Sequence, residues 1–216
     1  MGRLRELLFR LNPSRNVGGL PVSVLVFTSD EERDRVFGTV EAAMRLIAEH
    51  APTRYRQVVR DVRRVFVCGE PSTRGAYDES AGTCELFITW LLSPDATPVE
   101  VAGTIVHEAQ HARLGRLGFG YAPETRHRIE RLCYRATRAF ARRVPDGTEL
   151  QKHAEAGMAM EPEVYAVSAR FNRQAAAAET LKVPRWVRAL LAAVLRRRAR
   201  RAAEVEQGKR GRPTRG

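Results

Sequence analysis

One nine-residue stretch, Thr104-Ile105-Val106-His107-Glu108-Ala109-Gln110-His111-Ala112, constrains this chain more than any other. On a helix, residues four apart leave the same face one turn apart, so His107 and His111 present their imidazoles side by side. The signals around the stretch ask for that helix. Thr97 is a natural N-cap, Pro98 suits the first helical position, and Glu100 completes a capping box. Ala102, Ile105, Val106 and Ala109 form one apolar arc, and Thr104, His107, Glu108 and His111 the opposite one. The pattern predicts a helix packed on one side and chemically active on the other, stopping at Gly115 or Gly118.

Two neutral imidazoles at this spacing can hold one zinc ion as adjacent ligands. Glu108 sits beside them, where a carboxylate can act as general base toward a water on the metal. A catalytic zinc usually takes three protein ligands. Downstream donors are Glu124, His127, Glu130 and His153. Glu130 follows His111 by nineteen residues, beside the inward Ile129 of the next helix, and is the favoured third ligand, with His127 next. A zinc hydrolase also needs a donor for the developing oxyanion, for which Tyr121 and His127 are candidates.

With 216 residues the chain is long enough for one domain with tails. No run of 18 apolar residues marks a membrane span, and the N-terminus shows no secretory apolar region. Cys68, Cys84 and Cys133 are odd in number and form no Cys-x-x-Cys, which predicts thiols in a reducing cytoplasm. The net charge of +12 belongs to the ends: residues 196–216 carry nine Lys/Arg against two Glu, and residues 1–19 four Arg against one Glu. The expected organisation is a basic amphipathic segment over 1–19, a catalytic domain over 20–195 and a basic disordered tail over 196–216. The basic ends make an anionic membrane surface or nucleic acid a candidate partner.

In order, the chain predicts a short amphipathic helix over 3–11, a linker at Asn12–Gly19 and a strand over Val22–Phe27. A helix follows over 29–49, then strands at Val58–Val67 and Cys84–Leu92 flanking a polar loop, Gly69–Gly82. After the motif helix come helices over 125–144, 149–160 and 163–179, and a last one from Pro184 with Trp186, Leu190, Leu191 and Val194 as its apolar stripe. The expected fold is α+β: a small sheet of about three strands, then a helical half carrying the site.

The His107-Glu108-Ala109-Gln110-His111 motif, with Glu130 on the next helix, resembles the zinc site of gluzincin metallopeptidases over roughly residues 84–144. It is also similar, more weakly, to compact SprT-like and ImmA/IrrE-like proteases. The resemblance implies a zincin-like fold in which His107, His111 and Glu130 hold Zn2+ and Glu108 is catalytic. It further implies that Cys84–Leu92, or its neighbour, is a sheet edge able to pair with an extended peptide. Tyr134 stands where the thermolysin-like pattern has an acid. Metzincins are excluded, because positions 114 and 117 are both Leu. The expected function is zinc-dependent hydrolysis of a peptide or protein substrate. Its rivals are a catalytically silent zincin module and an adaptor acting through the basic ends.

Overall fold

The structure is a computed structural model, which describes residues 12–24, 28–68, 74–165, 175 and 185–210. The expected 3–11 helix, most of the 163–179 helix and residues 211–216 lie outside them. The chain divides into two units, Met1–Gly120 with Arg128–Ala159, and Tyr121–His127 with Met160–Gly216.

The first unit holds a five-stranded mixed sheet rather than about three strands, in the order β1-β2-β3-β5-β4. The strands are β1 (Ser14–Val17), β2 (Leu20–Val24), β3 (Arg64–Cys68), β4 (Gly75–Asp78) and β5 (Thr83–Phe87). β2, β3 and β5 run parallel, and β1 and β4 close the two ends antiparallel. The segment expected to be a linker is thus a β-hairpin. Gly18 and Gly19 have φ of 54° and 80°, the positive values that a tight hairpin loop matching strand twist requires. β4 lies inside the segment expected to be a polar loop. Both added strands have four residues and are held by pairing with a neighbour more than by their own apolar alternation.

Two further expectations are corrected. Val58–Val62 is not strand: α2 (Pro52–Asp61) occupies the segment, with Pro52 in its first turn, and Val58 and Val62 are both buried. A helix four residues per turn serves this spacing as well as a strand does. The third strand ends at Phe87, and Ile88–Leu91 is a helical turn, α3. The helix expected over 29–49 is α1 (Asp30–His50), opened by a full capping box between Ser29 and Glu32. Its inner stripe Val36, Val40, Ala43, Met44 and Ile47 is buried, and burying such a side chain contributes roughly 1.5–3 kcal/mol.

The motif helix is α4 (Pro98–Arg116), capped by the Thr97 hydroxyl, which accepts from the Glu100 N–H at 3.3 Å. Glu100 turns its carboxylate to Arg74 instead of back to the cap. The helix stops at Gly118, whose φ is 82°. It does not have one wet face: Thr104 and Glu108 are buried as fully as the apolar arc. α1, α2, β4, β5 and α6 (Thr148–Ala159) all pack against it. Gly103 lets α6 pass close, since a Cβ there would meet the Leu150 side chain at 2.4 Å. α5 (Pro123–Ala141) follows, with Ile129, Cys133, Ala136 and Phe140 buried as expected.

In the second unit the last helix, α7 (Arg185–Arg210), does not end near Leu195 but continues through the arginine run. Its expected inner stripe is exposed, with Trp186 at 71%, Leu190 at 58% and Val194 at 44%. Among the described residues, no helix is long and apolar enough to cross a membrane.

Candidate metal centre

α4 is locked before any chemistry is considered. Gln110, inside the motif, accepts from Arg54 at 3.0 Å and from Gln57 at 3.2 Å, and Gln57 also donates to the Ala109 carbonyl. At the helix end, the buried Asp61 carboxylate pairs with Arg60 and Arg116, each at 2.8 Å. Burial opposes the charge on Asp61, but the two guanidiniums outweigh it and hold its pKa below the usual value. These bonds fix the rotation of α4 about its axis, and hence the direction in which His107 and His111 leave it.

The two imidazoles meet at 3.3 Å between their Nε2 atoms. Glu130 arrives from α5 and spans them, with Oε2 3.3 Å from His107 Nε2 and Oε1 3.6 Å from His111 Nε2. These nitrogen–oxygen separations are longer than ordinary N–H···O bonds, which fall at about 2.7–3.2 Å. They are close to the edges of a tetrahedral site. Donors about 2.0–2.1 Å from one zinc ion stand about 3.3–3.4 Å from each other. Glu130 is thus brought to the histidine pair, whereas Glu124 lies exposed in the first turn of α5.

Cys133, which the sequence reading took only for a thiol inside the core, joins the cluster. His107, His111 and Cys133 offer donor atoms that all lie within 4.8 Å of one another. The signal was present in the sequence. Cys133 is three residues after Glu130, on the same face of one helix, and thiolate is a good zinc donor. None of Cys68, Cys84 and Cys133 is in a disulfide.

Burial disfavours the charged form of His111, but Cys133 and Glu130 beside it raise its pKa well above the ordinary value. Burial likewise opposes the Glu130 carboxylate, and the two histidines reverse that and hold its pKa well below the usual range. Burial raises the Cys133 thiol, His111 draws it down, and the Glu130 and Glu108 charges push it up again. Glu108, buried on α4, also acts on Cys84 of β5, so its carboxylate lies between the sheet and the cluster.

Tyr134, in the place of the expected acid, sets its ring edge-on to His107, with centroids 4.6 Å apart. Its other neighbour is His153 of α6, at 6.1 Å. Gly157 makes room for it, because a Cβ there would lie 2.4 Å from the Tyr134 ring. The oxyanion candidates fall in the second unit. Tyr121 lies under the Arg126 guanidinium at 5.1 Å, and His127 Nε2 is 3.2 Å from the Met160 carbonyl oxygen.

β4, the neighbour of β5, ends the sheet order and packs on α4. A Cβ on Gly75 would touch Thr104, one turn before His107, at 2.9 Å. A groove of about 810 Å³ opens at the N-terminal end of α4, lined by Arg74, Thr97, Glu100 and Asp146 among others, and its lining includes none of the cluster residues.

No protein-family model matches the chain, no curated protein matches it, and no solved structure matches it.

Proposed function

We propose that this chain is a zinc-dependent metallopeptidase of compact, zincin-like form. His107, His111 and Glu130 would hold the ion, and Glu108 would be the general base. The observation that carries this is the near-equal triangle of donor atoms, 3.3, 3.3 and 3.6 Å on its sides, assembled from two helices. A bound zinc supplies Lewis acidity, lowering the pKa of a water and polarising a carbonyl oxygen.

The chain's own residues have separate tasks. Glu108 takes a proton from the attacking water and passes it to the leaving amine. Tyr134 orients the His107 ring from its edge. The locked rotation of α4 keeps the donors converged, so that metal binding needs little rearrangement. An extended peptide would add to the outer side of β4, the end strand beside α4. Tyr134 and His153 join Tyr121 and His127 as candidates for the oxyanion donor.

The test is metal analysis of the full chain together with turnover of a mixed peptide library by the wild type and Glu108→Gln. The expected result is one zinc per chain in both proteins, with turnover in the variant reduced by about 10²–10⁴-fold, the usual worth of a general base. Zinc without turnover in the wild type would make the chain a silent zincin module. A chelator-free preparation without zinc would overturn the metal assignment itself.

A further inference from the structure

We propose that Cys133 is a fourth protein donor to the same metal, and that the site is closed to small ligands while its thiolate is bound. This rests on the reading that His107 and His111 hold a metal, and it concerns how that site is gated.

The geometry comes from two helices. α5 presents Glu130 and Cys133 one turn apart on one face, so both approach the histidine pair together. Cys133 Sγ and the two histidine nitrogens lie within 4.8 Å of one another. Around a common tetrahedral zinc, a nitrogen and a sulfur donor stand about 3.5–3.6 Å apart, from Zn–N and Zn–S bonds of about 2.0 and 2.3 Å. A contraction of about an ångström at most brings the sulfur into such a site. Cys133 is fully buried, and Leu114 and Ile129 pack around it, so solvent does not compete for the thiolate.

The chemical consequence follows from ligand count. Three protein ligands leave a coordination position for water, as catalytic sites do, and four close it, as structural sites do. On closing, the Cys133 thiol gives its proton to solvent and its sulfur takes the position. On opening, the sulfur leaves and regains a proton from solvent. The alternative is that Cys133 only fills space between Leu114 and Ile129.

Cobalt(II) loaded in place of zinc separates these cases by spectroscopy, without relying on activity. The full-length wild type should bind one cobalt and show an intense near-ultraviolet thiolate-to-cobalt charge-transfer band. Cys133→Ser should keep one cobalt and lose that band. Azide should shift the visible spectrum of Cys133→Ser and leave the wild type unchanged. Cobalt bound by the wild type in a His107-dependent way but without the band would overturn the role of Cys133 and leave the metallopeptidase reading standing. A wild-type spectrum that carries the band yet shifts fully with azide would overturn the closure. No cobalt at all would overturn the metal reading. Because the band is read on the wild type, the test stands even if Cys133→Ser fails to fold, and Cys133→Ala serves as a second variant.

Discussion

Glu130 is where the chemistry of single residues can be tested most directly. Replacing a metal-binding carboxylate should cost more than the roughly 10–100-fold in affinity that outer-shell partners account for. We expect Glu130→Ala to lose more than that in a zinc titration and Glu124→Ala to change nothing. His107→Ala or His111→Ala should empty the site. If Glu124→Ala empties it instead, the ligand assignment is wrong. Protons compete with the metal at His111, whose pKa is raised once Cys133 and Glu130 have overcome burial. Metal uptake should therefore release a proton, and apparent affinity should fall as pH drops, starting above the ordinary histidine value of about 6.5. In the metal-free chain the sign is different. The raised His111 contributes stability below about pH 6.5, lost as pH climbs through its folded value. The lowered Glu130 contributes above about pH 4.3, lost as pH falls through its own. The stability difference between metal-free wild type and Glu130→Gln should be largest between those limits, and a flat difference across pH would sink the pairing.

At the scale of elements, α5 and α6 meet through Tyr134 and Gly157. An alanine at 157 would put its Cβ 2.4 Å from the Tyr134 ring, which already sits against His107. Overpacking of this kind costs about 1–3 kcal/mol, which for a chain of this size lowers Tm by about 2–12 °C. Gly157→Ala should therefore lower Tm and also weaken zinc binding, because the displaced ring has to move at the expense of His107. A loss of Tm with metal affinity intact would show that Tyr134 only fills space. The α2–α4 latch makes a different demand. Asp61 is buried against Arg60 and Arg116, so Asp61→Asn should destabilise the fold while the purified folded protein still takes up its metal.

At the scale of the whole molecule, the cluster residues His107, His111, Glu130 and Cys133 all belong to the first unit, and α7 to the second. α7 carries Trp186, Leu190 and Val194 exposed at every fourth position, with arginines at 185, 188, 196–198, 200 and 201. A basic amphipathic helix of that kind lies on anionic headgroups. Removing residues 200–216 should leave zinc content unchanged and reduce co-sedimentation with phosphatidylserine vesicles. The binding of the intact chain should fall steeply with salt, since exposed charges are screened. Equal, equally salt-sensitive binding by the truncated chain would place the contact elsewhere.

What the sequence determined by itself was local. The motif helix could be read from Thr97, Pro98 and the four-residue spacing of its histidines, because a cap and a helical period are properties of neighbours in the chain. Glu130 could be singled out for the same reason, as an acid one position from an inward residue of a strongly periodic helix. Tertiary structure decided the rest. β1 and β4 exist because β2 and β5 pair with them, and four residues carry too little pattern to announce a strand. α4 is buried all round because five elements converge on it, which no single apolar arc could reveal. The place of Cys133 beside two histidines depends on the crossing of α5 over α4, a relation between segments more than twenty residues apart. Periodicity says which face of each helix turns inward, and only the packing of both helices says which atoms meet there.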